Sequence, residues 1–288
     1  GRIGEAKRAV WVQVARLALS GFLPQVRRFR RQLADLVYAG YCWLVFGLLS
    51  VPVWLLTVLI PGRKGKWLVT KYGARLLGFL SATRVEVMGL EHIPVDRPVI
   101  IVANHMSYLD AFVLQAVLPV ACNFIAKAEL AEKIMVRVPL SRLGAVFVER
   151  FDKERGTADA KKITGLVQAG HSFLFFPEGT FQRMPGLLPF RMGAFLTAVQ
   201  TGVSVVPVTI RGTRNKMRGS SWFPRRGSLS VIASPAVQPE GNDWEAALNL
   251  RDDVRMEILN HLGEPDLSGS FSPFAKLKDN GQENIEER

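Results

Sequence analysis

Pro98-Val99-Ile100-Ile101-Val102-Ala103 runs directly into Asn104-His105-Met106-Ser107-Tyr108-Leu109-Asp110. An unbroken apolar run rich in β-branched residues, opened by a proline, reads as a strand buried on both faces. Ser107 is a favourable helix N-cap, and a helix is read from residue 107 to 118. A strand that hands over to a helix within a few residues is the start of a crossover unit, the connection that parallel strands require.

The same alternation continues downstream. Residues 123–126, 145–149, 171–176, 203–210 and 228–233 read as strands. Helices are expected near 128–136 and over 158–169, 190–200 and 244–262, with Gly170 and Gly202 ending two of them. The fold class is therefore α/β over residues 76–262: a largely parallel mixed sheet flanked by helices. Residues 263–288 are polar and rich in Gly, Ser, Pro, Asn and Glu, and read as a flexible tail.

Toward the N-terminus the texture changes. Of the net charge of +12, residues 1–75 carry nearly all, with 13 Lys/Arg against 2 Asp/Glu. The other 213 residues hold 24 against 23. Nucleic-acid binding calls for cations spread over one face. Here they flank a single apolar run, so nucleic acid is excluded as a partner. That run is residues 36–62, 27 positions without a charge. As one helix it rises roughly 40 Å, enough for a hydrocarbon core of about 30 Å.

Arg27, Arg28, Arg30 and Arg31 precede the run, and Arg63, Lys64, Lys66 and Lys71 follow it. A single span normally places its cations on one side, and Pro52 breaks or kinks a helix. Two arrangements stay open: a tilted span, or a hairpin dipping into one leaflet with both ends on the cytoplasmic face. Val10, Trp11, Val14, Leu17 and Ala18 recur at helical spacing among Lys7, Arg8 and Arg16. That pattern suits a basic helix on an anionic membrane surface, or one packed on its own domain. Residues 1–75 are thus set apart as a basic amphipathic and membrane-embedded helical region. Cys42 and Cys122 have no Cys or His neighbours at ligand spacing, so neither a disulfide framework nor a metal site is expected.

In open α/β sheets, catalytic groups gather beyond the carboxyl ends of strands, where His105 stands. An imidazole can take a proton from a hydroxyl when a carboxylate fixes its tautomer. Positions five apart on one helix diverge by about 140°. His105 and Asp110 can therefore meet only with His105 on the loop and Asp110 in the first turn. The competing reading is a capping box, with Asp110 turned to a backbone amide. Further blocks follow in order. Gly144, Phe147 and Arg150 put a cation after a strand, which suits a phosphate. Phe176-Pro177-Glu178-Gly179-Thr180 turns sharply, and Gly179 lets backbone approach a ligand. Glu178 and Thr180 can hold hydroxyls or organise nearby cations. Val205-Val206-Pro207-Val208 is an apolar strand with a proline. No GxSxG elbow is present for a serine hydrolase.

These blocks resemble those of the glycerolipid acyltransferases, the family that includes 1-acylglycerol-3-phosphate acyltransferase. NHxxxxD is matched by Asn104 to Asp110, GxxFxxR by Gly144, Phe147 and Arg150, FPEGT by Phe176 to Thr180, and the apolar proline block by Val206-Pro207. The resemblance covers residues 84–235. It implies that His105 is the general base and Asp110 its orienting partner. It also implies a site for a phosphorylated acceptor made by Arg150, Glu178, Gly179 and Thr180, with Lys127 adding phosphate contact. The implied donor is acyl-CoA or acyl carrier protein and the implied acceptor a lysophospholipid, above all 1-acylglycerol-3-phosphate, with no cofactor and no metal.

There is one departure. Many members carry Arg and Ser after FPEGT, where this chain has Phe181-Gln182-Arg183. Either Arg183 or Arg191 replaces that cation, or the acceptor is another lyso-lipid, with a different head group or a lyso-aminolipid. The implied chemistry is direct attack of the acceptor hydroxyl on the thioester, with amides near Ser107 as candidate oxyanion donors. A different class, a non-catalytic membrane lipid-binding adaptor of the same fold, is the other reading. Membrane substrates imply a membrane location with the catalytic domain on the cytoplasmic face.

Overall fold

The computed structural model describes residues 2–148, 153–182, 184–218 and 221–269, with side chains from residue 24 onward except over 153–157. Two helices lead, α1 (Arg2–Leu59) and α2 (Arg63–Leu80). The strands are β1 (Val85–Met88), β2 (Ile100–Ala103), β3 (Cys122–Lys127), β4 (Val146–Val148), β5 (Ser172–Phe175), β6 (Val205–Arg211) and β7 (Leu229–Ala233). The helices that follow α2 are α3 (Leu109–Val117), α4 (Ile134–Arg142), α5 (Lys153–Gln168), α6 (Gly193–Thr201), α7 (Thr213–Lys216) and α8 (Trp244–Leu262).

The strands form one sheet in the order β1-β7-β6-β2-β5-β3-β4. From β6 to β4 every neighbouring pair is parallel, whereas β7 pairs with β6 antiparallel and β1 follows β7. Ile100 stands opposite both Phe173 and Val205, so β2, β5 and β6 run side by side in the same direction from one level. Each connection after a parallel strand therefore begins at the same edge of the sheet, and the sequence blocks are collected there.

Alternation along β2 sorts the core into two layers. Ile100 and Val102 join Phe173 and Phe175 under α5, α6 and α8, where Val167, Phe195, Leu250 and Ile258 pack. Val99, Ile101 and Ala103 join Leu174, Val206 and Val208 under α3, with Val113 and Leu114. Residues 99–103 are wholly buried, as expected for a strand covered on both faces.

Most of the apolar run lies in α1, which continues through Pro52 to Leu59, and the chain reverses at Pro61-Gly62, where Gly62 takes φ 76°. The sequence expectation of a break at Pro52 is corrected. A proline removes one backbone bond, and here packing on α2 and the domain holds the helix past it. α2 returns antiparallel to α1: Val53 packs on Gly73, and the Tyr38 hydroxyl donates to the Ser81 carbonyl at 2.9 Å. The boundary expected at residue 75 falls inside α2. Both ends of the apolar run are also fastened to the sheet domain. Asp35 pairs with Arg226 at 3.2 Å, the Trp54 indole donates to the Met135 carbonyl at 3.1 Å, and Arg63 donates to Asn123 at 2.5 Å. Leu36, Val37, Leu44, Leu48, Val51, Leu55 and Leu59 of α1 are left exposed. The helix over residues 24–59 holds an 18-residue stretch of mean hydropathy 2.2 and is long and apolar enough to cross a membrane. The side chains of the amphipathic pattern at residues 10–18 lie outside the described residues.

The start of the expected tail is docked. Arg255 forks onto Asp266 at 2.8 and 2.7 Å, and the Gly186 N–H donates to Glu264 at 2.7 Å. The arginine beside it holds the Asp266 carboxyl well below the usual carboxylate range.

Candidate active site

The loop after β2 is fixed from both sides before His105 is placed. Asn104 is fully buried, and its side-chain amide pairs with one residue of β6, donating to the Ile210 carbonyl at 3.0 Å and accepting from the Ile210 N–H at 2.7 Å. The Ser107 hydroxyl donates to the Met217 carbonyl at 2.8 Å, tying the loop to the segment after α7. His105 is left between these anchors, at the carboxyl edge.

His105 Nδ1 lies 2.9 Å from Asp110 Oδ2. That oxygen also accepts the N–H of Met106 at 2.6 Å and of Ser107 at 2.8 Å. The contact to His105 and the capping-box bond to the Ser107 N–H thus fall on one oxygen atom of Asp110. Its side chain has no exposure, and three donors on a buried carboxylate are strong, charge-assisted bonds. An ionised carboxylate can only accept, so Nδ1 carries the proton and the Nε2 lone pair is free. Nε2 has no hydrogen-bond partner among the described residues. The amides of Met106 and Ser107 are spent on Asp110, so neither is free to serve an oxyanion. Ser107 also caps differently than expected: its hydroxyl accepts the Leu109 N–H at 3.2 Å, and α3 begins two residues later.

Glu178 follows β5, the neighbour of β2. Its Oε1 accepts the backbone N–H of His105 at 2.6 Å and its Oε2 that of Leu188 at 2.9 Å. At 5% exposure, both of its oxygens are engaged by backbone amides. Beside the expected substrate-binding role, Glu178 holds the backbone that carries the histidine. Burial pushes its carboxyl up to about 7, opposed by the amide bonds of His105 and Leu188, with Asp110 adding to the rise and Arg214 opposing it.

Gly179 makes the turn with φ 73°, and a side chain there would meet Arg191 Nε at 2.7 Å. Arg191 thus lies over the FPEGT turn, itself exposed, its N–H donating to the Pro177 carbonyl at 2.9 Å. Thr180 is exposed on the turn, and Lys127 is exposed at the end of β3 on the same edge of the sheet. Arg150 and Arg183 lie outside the described residues.

Aromatic rings frame the imidazole, and sequence reasoning did not assign them. Phe176 stacks on His105 with centroids 4.3 Å apart, and Phe181 meets it edge-on at 4.6 Å. Phe176 was visible within its motif, but nothing in a single sequence shows which way a ring faces. Arg214, of α7, donates to the carbonyls of Gln182 and Met184 and pairs with Glu264 at 2.9 Å, clamping the segment after FPEGT. Between α2, α3 and β1 lies a cavity of about 460 Å³, lined by Leu77, Gly78, Val87, Leu90, Leu109 and Phe112 among others. It reaches the residue next to Asp110.

Residues 84–211 match the family model described as Acyltransferase. The chain is 32% identical over 235 residues to the chloroplastic 1-acyl-sn-glycerol-3-phosphate acyltransferase BAT2 of Brassica napus, covering 77% of this chain and 66% of that protein. It is 31% identical over 199 residues to 1-acyl-sn-glycerol-3-phosphate acyltransferase alpha of Mus musculus, covering 66% of this chain and 68% of that one. The chain thus spans about two thirds of the length of these relatives. The crystal structure of the 1-acyl-sn-glycerophosphate (LPA) acyltransferase PlsC from Thermotoga maritima superimposes with TM-score 0.68 at 25% identity, over 80% of this chain and 97% of that one.

Proposed function

Because the chain belongs to the acyltransferase family of the 1-acyl-sn-glycerol-3-phosphate acyltransferases, we propose that it transfers a fatty acyl group from a thioester to the free hydroxyl of 1-acylglycerol-3-phosphate, giving phosphatidate. The observation that carries this reading is the His105–Asp110 contact, which leaves Nε2 as a base at the carboxyl edge of the sheet. Nε2 takes the proton of the acceptor hydroxyl as its oxygen bonds to the thioester carbonyl carbon. The carbon–sulfur bond then breaks, and the imidazolium returns the proton to the departing thiolate. Asp110 stabilises the imidazolium in between. No covalent acyl-enzyme, cofactor or metal enters this scheme. The donor is acyl-CoA or acyl carrier protein, and the mostly apolar cavity beside α3 is the candidate seat for its chain.

The acceptor phosphate needs cations on the same edge. Lys127 and Arg191 supply them, and Arg150 and Arg183 are further candidates on their sequence motifs alone. Arg191 over Gly179 supports the first of the two sequence alternatives, in which another arginine replaces the missing cation.

The exposed apolar residues of α1 support attachment to a bilayer as a hairpin. With Asp35 and Arg63 both on the domain, the basic flanks share its side, which by the positive-inside rule is the cytoplasmic one. The test uses membranes containing the protein, a labelled acyl thioester and a panel of lyso-lipids. Labelled phosphatidate is expected, with none from His105→Ala. Undiminished transfer by His105→Ala would refute the mechanism. Membrane binding with no transfer to any acceptor would leave a lipid-binding adaptor. Transfer only to acceptors without phosphate would refute the cation assignment.

A further inference from the structure

The rings around His105 do not stop at the active site. Phe181 meets Tyr108 edge-on at 4.8 Å, and Tyr108 stacks on Trp222 at 5.6 Å with planes 9° apart. Trp222 in turn lies 5.8 Å from Trp43 of α1, whose indole N–H donates to the Trp222 carbonyl at 2.8 Å. A continuous file of rings therefore leads from the catalytic imidazole to the helix whose apolar face is exposed.

Three features mark this file as a surface for a lipid. Trp222 is 66% exposed and Tyr108 51%, so the stacked pair leaves a broad apolar face uncovered. Such rings are favoured at a bilayer interface, where one side is apolar and the polar atoms stay wet. The segment that carries Trp222 is fixed at both ends, by the Ser107 hydroxyl on Met217 and by Arg226 on Asp35, so the ring is held in place. Arg225 and Arg226 are exposed beside it, which suits an anionic head group or anionic neighbours.

We propose that Tyr108 and Trp222 form a track for the hydrocarbon tail of a single-chain anionic lipid, the acceptor, guiding it from the apolar face of α1 to His105. The inference rests on the acyl-transfer reading and adds the residues that hold the acceptor's tail. The donor chain and the acceptor tail then approach His105 by separate routes, the cavity beside α3 and the aromatic file.

The test compares 1-oleoyl- and 1-hexanoyl-glycerol-3-phosphate as acceptors, with wild-type protein, Trp222→Ala and Trp222→Phe in phosphatidylcholine vesicles. In Trp222→Ala the ratio of kcat/KM for the long acceptor to that for the short one is expected to fall about tenfold, the loss of one large apolar contact. Trp222→Phe should restore most of it. A second reading needs no turnover: an acceptor brominated in its tail should quench tryptophan emission more in the wild type than in Trp222→Phe. Equal losses on both acceptors with equal quenching would overturn the track. If wild-type protein transfers no acyl group, the proposed function fails, while the quenching difference still decides whether a tail lies on Trp222.

Discussion

The backbone N–H of His105 donates to Glu178 Oε1 at 2.6 Å, so a carboxylate from the turn after β5 fixes the main chain that carries the base after β2. The same carboxylate takes the Leu188 N–H through its other oxygen. Two sequence blocks more than 70 positions apart are thereby one mechanical unit.

Glu178→Gln should separate positioning from substrate binding. An amide has one acceptor oxygen, so only one of the two N–H groups can be met and the other faces an NH₂. Small displacements of a catalytic group can cost on the order of a hundredfold. Steady-state kinetics should show kcat reduced by about that factor with acceptor KM nearly constant. A raised KM at normal kcat would instead make Glu178 a substrate ligand.

The same substitution has a consequence for stability against pH. The folded carboxyl sits at about 7 against 4.5 as a reference. As pH rises, the unfolded chain ionises first and is favoured. Stability from this group therefore falls between those two values and is level above the higher one. The full difference is about 3 kcal/mol. Denaturant unfolding across this range should show a downward slope in the wild type that Glu178→Gln lacks.

Asp110 can be divided into its charge and its geometry. Asp110→Asn keeps one oxygen for Met106, Ser107 and the imidazole but removes the charge that steadies the imidazolium. Activity should fall on the order of a thousandfold with a small change in thermal stability. Asp110→Ala also strands two buried N–H groups, at about 1–3 kcal/mol each. It should lower the melting temperature clearly as well.

Asn104→Ala tests the anchor between β2 and β6. Ile210 would lose the partner of both its N–H and its C=O in a fully buried position. The expected cost is about 1–3 kcal/mol for each unsatisfied group. Calorimetry should show a melting point lower by several degrees, and kcat should fall because His105 is the next residue.

Much of this was legible because burial and chemistry leave local marks. The run from Val99 to Ala103 announced a doubly covered strand, and α8 spans the expected 244–262. His105 and Asp110 met because only a loop followed by a first turn lets them. Other features left no such mark. The Arg63–Lys71 cations looked like a flank, yet they open α2, from which Lys71 donates to the Leu118 carbonyl just after α3 and Arg75 to the Ala116 carbonyl within it. β1 shows only four residues with polar neighbours, and the reversed direction of β7 is not encoded in its composition. A sequence shows the Glu178 carboxylate but not the amides of His105 and Leu188 that it meets after folding. Trp222 lies far from His105 along the chain and meets Tyr108 only through the fold.

The clasp of α1 onto the domain at Asp35 and Trp54 leaves no slack between anchor and catalyst. On the proposed bilayer the base rides at one fixed height, set when the chain folds, and does not swing on a leash to collect its substrate. Supply is then two-dimensional, and the rate follows the mole fraction of acceptor within the leaflet. Dilution of the leaflet with an inert lipid should slow turnover even when the amount of acceptor per millilitre is constant.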